Sequence, residues 1–186
     1  IRLSLVGSEM CIRDRSSVGA ALKLHGVDVV GEAHKGSTAI NLFRSTQPNV
    51  LLIDMHRTQE SSIEIAADIR KESPGIGVVI LVPCADVRLM GEDDSEIPVR
   101  SLLVLKYSVN NLSVLCEAIT ASRSFTAKDS ITWINGGIAI HAKDSQGLMS
   151  SLSDTQIQTL RFVADGLTNA EIGRMRFVSE KAIEQI

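Results

Sequence analysis

Along residues 1–122, short and nearly continuous apolar runs alternate with stretches whose apolar positions recur at helical spacing. The runs at 3–6, 27–30, 49–53, 77–82 and 101–105 are rich in Val, Ile and Leu, as strands buried on both faces should be. Between them, Val18, Ala21 and Leu22 share one helical face that stops at Gly26, and Ile40 and Phe43 anchor a second helix ending before Pro48. Ile65, Ala66 and Ile69 define a third helix, closed by Ser73 and Pro74. Leu112, Leu115, Cys116 and Ile119 give an i, i+3, i+4, i+7 stripe for a fourth. Residues 86–98, with Gly91, Glu92, Asp93 and Asp94, have little period and predict an irregular crossover.

Strand and helix alternating in this way imply right-handed βαβ units, hence an α/β fold with a five-stranded parallel sheet wound on both faces. Chemistry in such sheets gathers outside the carboxyl ends of the strands. The third run leads into Asp54 and the fifth into Lys106, so a carboxylate and an ammonium project from one rim. Residue type alone leaves two readings open there: a solvated turn cap beside a surface lysine, or a functional pair.

The pattern changes after residue 151. Ser153 with Gln156 and Thr168 with Glu171 have capping-box spacing and predict two helix starts, Gly166 closes the first helix, and Ser179 caps a third. Leu160, Val163, Leu167, Ile172, Val178 and Ile183 predict the shared apolar seam of a small all-α unit. Its third helix would offer Lys181, Glu184 and Gln185 to a DNA major groove, with a plain dimerisation hairpin as the competing reading.

Residues 50–55 (VLLIDM), 78–81 (VVIL) and 103–106 (LVLK), with the helix after them, resemble the receiver domain of a two-component response regulator over 16–122. Residues 152–156 (LSDTQ), 160–172 (LRFVADGLTNAEI) and 177–183 (FVSEKAI) closely resemble the LuxR-type helix-turn-helix of the NarL/FixJ subfamily. The resemblance implies a flavodoxin-like receiver followed by a helix-turn-helix domain. It also implies a histidine kinase that phosphorylates Asp54, Mg²⁺ beside the transferred charge with Asp54 among its ligands, and Lys106 on the phosphoryl oxygens. On the helix-turn-helix it implies double-stranded DNA as partner of Lys181, Glu184, Gln185, Ser179 and Thr168, and a homodimer of the full-length protein. No enzyme activity is expected.

Several positions depart from that pattern. The acid pair that usually follows strand one would fall on Gly7 and Ser8, the hydroxyl residue that usually ends strand four is replaced by Val82 with Pro83 next, and Leu103 stands where an aromatic residue is common. Without the acids, Mg²⁺ affinity should collapse. Residues 5–14, LVGSEMCIRD, match one reading frame of a transposon-end sequencing adapter, CTCGTGGGCTCGGAGATGTGTATAAGAGAC, residue for residue. Residues 1–15 are therefore expected to be adapter-derived, with 3–6 apolar enough to fill the first-strand slot. The expected organisation is then 16–122 receiver, 123–151 linker and 152–186 helix-turn-helix, incomplete at its C-terminus.

Composition adds limits. With 186 residues, 44% of them hydrophobic, the chain can bury a core, and no apolar run approaches the roughly 18 residues of a membrane span, so a cytoplasmic location is expected. A net charge of -3 with 3% aromatics gives no global basic footprint, and any DNA signal must be local. From residue 149 onward, Arg161, Arg174, Arg176 and Lys181 face Asp154, Asp165, Glu171, Glu180 and Glu184, a balance that predicts weak phosphate contact. Cys11, Cys84 and Cys116 share no metal spacing and read as reduced thiols, Cys116 core-facing; His25, His34, His56 and His141 are scattered. Within the linker, Asn135-Gly136 between apolar runs predicts a hairpin that packs Trp133 on a domain face. The alternatives to a phosphorylation-controlled transcription factor are a phosphorylation-independent regulator, whose degenerate receiver serves dimerisation or ligand binding, and an enzyme on the same open sheet. The enzyme lacks a phosphate-cradling loop or a nucleophile elbow.

Overall fold

The computed structural model describes residues 1–6, 12–55, 61–84, 86–92, 96–106, 109, 112–124, 132–135, 138–141 and 152–186, with backbone alone for 12–16, 132–135 and 138–141. Five strands, β1 (Arg2–Val6), β2 (Asp28–Ala33), β3 (Val50–Asp54), β4 (Gly77–Val82) and β5 (Ser101–Leu105), pair in parallel in the order β2-β1-β3-β4-β5. β3, β4 and β5 are buried along their whole length, as continuous apolar runs require. β2 runs past its expected end because it is the edge strand. Its outer face is solvated and tolerates Glu32.

Among the described residues four helices cover the sheet: α1 (Ile12–Leu24), α2 (Gly36–Thr46), α3 (Ser62–Glu72) and α4 (Leu112–Ser124). Strand alternation divides the core into two layers. On one face Leu51, Ile53, Ile80, Leu103 and Leu105 meet Phe43 of α2 and Ile63, Ala66 and Ile69 of α3. On the other, Val50, Leu52, Val79, Leu102 and Val104 meet Leu22 of α1 and Leu115, Ala118 and Ile119 of α4. The expected double winding follows from this division. Cys116 is a correction: it sits at the rim of the second layer, half-buried, because Leu115 and Ile119 take the inward line of α4. Burial still pushes the Cys116 and Cys84 thiols up, so both resist ionisation. In the crossover between β4 and β5 the described residues include a 3-10 turn, Val87–Met90, which Asp86 caps and Gly91 ends at φ +88.

The hairpin is present, and it extends the sheet. β6 (Thr132–Asn135) pairs in parallel with β5, setting Trp133 opposite Leu103, and β7 (Ile138–His141) returns antiparallel. The packing expected of the Trp133 side chain lies outside the described side chains.

The C-terminal unit has three helices, α5 (Asp154–Ala164), α6 (Asn169–Arg176) and α7 (Glu180–Glu184). Both capping boxes form, and Gly166 adopts φ +84 after α5, a left-handed turn that a Cβ would strain. The apolar seam is narrower than the sequence predicts. Ile157, Ile172 and Ile183 are buried and Leu167 is half-buried, while Leu160, Val163 and Val178 stay 40%, 49% and 44% exposed. Steps of three residues lag a helical turn by about 60°, so the 157, 160, 163 line drifts away from α6 and α7. A polar contact joins α5 to α6 instead: Arg176 Nη1 donates to Thr159 Oγ1 at 2.6 Å, and that hydroxyl donates to the Thr155 carbonyl at 2.8 Å.

Candidate functional site

Asp54 and Lys106 are brought together. Positions 50 and 52 of β3 and 102 and 104 of β5 face the same layer, so the period of two carries Asp54 and Lys106 to that side of the sheet. Two inter-strand spacings separate β3 from β5, roughly 10 Å, and the four-carbon lysine stem spans the end of β4. Lys106 Nζ lies 2.5 Å from Asp54 Oδ1 and donates to the Met55 carbonyl at 2.9 Å. The Asp54 side chain is 7% exposed and the Lys106 side chain 27%. A buried carboxylate needs a counter-charge, and Lys106 supplies it at the carboxyl-end rim of the sheet. The ammonium also grips the first backbone group of the loop after β3, a second partner that residue type gave no means to foresee.

The rest of the rim departs from a metal-assisted phosphoryl site. Among the described residues no group of three or more His, Cys, Asp or Glu could hold a metal ion. Around Asp54 they offer one carboxylate, already ion-paired, and a Met55 carbonyl that Lys106 occupies. Mg²⁺ demands several hard oxygen donors, and this set does not supply them. Gly7 and Ser8, where the acids were sought, lie outside the described residues. Val82 is fully buried at the end of β4 and Pro83 is exposed beside it, so no hydroxyl stands at that position. Leu103 is 1% exposed, packed in the first core layer with Ile80, Ile97 and Val82, with no room to swing outward.

At the other candidate site, α7 presents an exposed face. Ser179 caps it by accepting from the Ala182 amide at 3.2 Å, and Ile183 anchors its inner side. Lys181, Glu184 and Gln185 are exposed. Gln185 stands just past the last helical turn. Thr168 has a local duty, since its hydroxyl donates to Glu171 Oε2 at 2.7 Å and accepts from the Glu171 amide at 3.3 Å. Thr168 and Ser179 therefore position α6 and α7. The hydroxyl donation, with the Thr168 amide donating to the same Oε2 at 2.8 Å, holds the Glu171 carboxyl below its usual range.

No protein-family model matches the chain. It is similar to the DNA-binding transcriptional activator EvgA of Escherichia coli K12, 22% identical over 157 residues, 84% of this chain and 74% of that protein. It is similar also to BvgA of Bordetella pertussis, named a transcription regulator of virulence factors, 26% identical over 175 residues, 91% of this chain and 79% of BvgA. The structure of the two-component response regulator RcsB in complex with DNA superposes with a TM-score of 0.58 at 17% identity, covering all of this chain and 87% of RcsB, a likeness of fold.

Proposed function

We propose that this chain is a response regulator of the NarL/FixJ type, a transcription factor that binds double-stranded DNA through α7 and responds to phosphorylation of Asp54 by a histidine kinase. The observation that carries the reading is the buried Asp54 on the open rim, paired with Lys106, in one chain with a doubly capped helix-turn-helix. In the transfer, an Asp54 oxygen attacks phosphorus, the P–N bond to the partner's histidine breaks, and the freed imidazole takes up a proton. Lys106 then faces a more negative group than a carboxylate and turns toward the phosphoryl oxygens, loosening its hold on the Met55 carbonyl. The added charge thus acts on the loop that leaves β3.

A phosphorylation-independent regulator is the second reading. It is favoured by the single carboxylate that the described residues bring to this rim, by Val82 in place of a hydroxyl, and by the fully buried Leu103. The two readings divide on residues 1–15. We propose that this stretch is adapter-derived and that Gly7 and Ser8 stand in for acids of the authentic first strand, ahead of a receiver over 16–122, a linker over 123–151 and a helix-turn-helix over 152–186.

The DNA half is tested by fluorescence anisotropy with a labelled random-sequence duplex over a salt series. Weak, salt-dependent binding is expected, and Lys181→Ala should lower the slope of log K against log salt by about one. Binding that ignores both salt and Lys181 would remove α7 as the DNA element.

A further inference from the structure

We infer that the DNA-binding unit seats on the receiver through α5 at the 3-10 turn Val87–Met90, with the recognition helix α7 left open, so that the docked form can itself meet DNA. This rests on the DNA-binding reading above. Arg88 is the hinge of the contact. Asp86 holds its guanidinium through Nη2–Oδ2 at 2.7 Å and Nε–Oδ1 at 3.1 Å, and Nη1 reaches Asp154 Oδ1, in the first turn of α5, at 3.5 Å. An arginine fixed by a neighbouring carboxylate gives up little further freedom when it meets a second one. Two helical turns further along α5, Arg161 lies over Gly91 so closely that a Cβ there would stand 2.7 Å from Arg161 Nη2. Beneath the turn, Val87 is buried and Met90 packs on the receiver core, so the seat is anchored in the sheet layer.

Beside the seat, Glu92, just past the turn, accepts from Ser61 Oγ at 2.7 Å, and Ser61 caps α3, so the turn is tied to the start of the helix that follows β3. The contact uses the Asp154 and Arg161 side of α5. Lys181, Glu184 and Gln185 remain exposed on α7, so docking does not cover the residues proposed to meet DNA. Control through this seat would set where the reading head is held, with occlusion playing no part.

The test uses the full chain and three variants, Arg88→Glu, Asp154→Arg and the double charge swap, with Arg161→Glu as an independent disruption. Backbone ¹⁵N relaxation reports whether α5–α7 tumbles with the sheet. Asp154 is 97% exposed, so Asp154→Arg leaves both folds intact. We expect wild type and the swap to tumble as one body and the single variants as two, with no tenfold gain in affinity for a random-sequence duplex on release. One-body tumbling in all three single variants, or no recovery in the swap, overturns the seat. A tenfold or larger gain in duplex affinity on release overturns the open recognition helix. Absence of duplex binding in every form sinks the DNA-binding reading and the DNA-competent half of the inference, while the relaxation data still decide the seat.

Discussion

Replacing Lys106 by Met keeps the apolar stem and removes the charge 2.5 Å from Asp54 Oδ1. At that distance, with an effective dielectric of about 20, the attraction is about 6–7 kcal/mol before desolvation is counted. Desolvation takes back most of this, and breaking a fully buried pair by removing one partner costs about 3–5 kcal/mol, because the remaining charge is left buried and uncompensated. The Asp54 side chain is 7% exposed but Lys106 is 27% exposed, so water partly screens the pair and about 2–3 kcal/mol is expected for Lys106→Met. Asp54→Asn should cost less, about 1 kcal/mol, since the amide fills the same space without charge and Lys106 keeps its bond to the Met55 carbonyl. The double variant should then fall close to Asp54→Asn alone, giving a coupling of about 2–3 kcal/mol in a double-mutant cycle. Urea unfolding followed by near-UV signals of the receiver supplies the four free energies. Lys71→Met is the control, as Lys71 is 76% exposed and pairs with Asp68 on the surface. If Lys106→Met costs no more than Lys71→Met, or the coupling falls below about 0.5 kcal/mol, the ion pair is not holding the rim and the reasoning fails.

Two further outcomes follow from the packing. Ser4 is 1% exposed in β1 and its Oγ has no hydrogen-bond partner among the described residues, so Ser4→Val should raise stability by about 1 kcal/mol in the same urea assay. The Glu171 carboxyl, held low by Thr168, contributes stability that is present above the ordinary glutamate pKa of about 4.3 and lost as pH falls through its lowered folded value. Circular dichroism of the C-terminal helices should therefore weaken on acidification below that range. Glu171→Gln, which keeps a capping residue without the titrating group, should flatten the profile.

The sheet and its helices were legible because β3, β4 and β5 are buried on both faces and so spell continuous apolar runs, and α1 to α4 each press one stripe on them. The hairpin was legible from Asn135-Gly136, but its docking on the edge of β5 was not, since strand pairing depends on backbone groups that carry no residue signature. Asp54 and Lys106 could be placed on one rim from strand ends alone. The Met55 carbonyl could not, because any residue supplies one. In the C-terminal unit the caps were legible from five side chains, whereas the seam was drawn too wide: Ile157 was missed and Leu160, Val163 and Val178 were counted, an error of helix phase. Arg176 and Thr159 show the same limit, since a pair joined across two helices has no spacing rule to reveal it.

The central claim is that Asp54 accepts a phosphoryl group. Incubation with acetyl phosphate and Mg²⁺, followed by mass spectrometry that locates an acid-labile phosphate, should be run on this chain, on Gly7→Asp/Ser8→Asp, and on that variant with Asp54→Asn. The account predicts little label on the chain as it stands, one phosphate on Asp54 once the acids are supplied, and none after Asp54→Asn. A restored rim that takes up no phosphate, or takes it up elsewhere than Asp54, would contradict it and leave the phosphorylation-independent regulator as the reading.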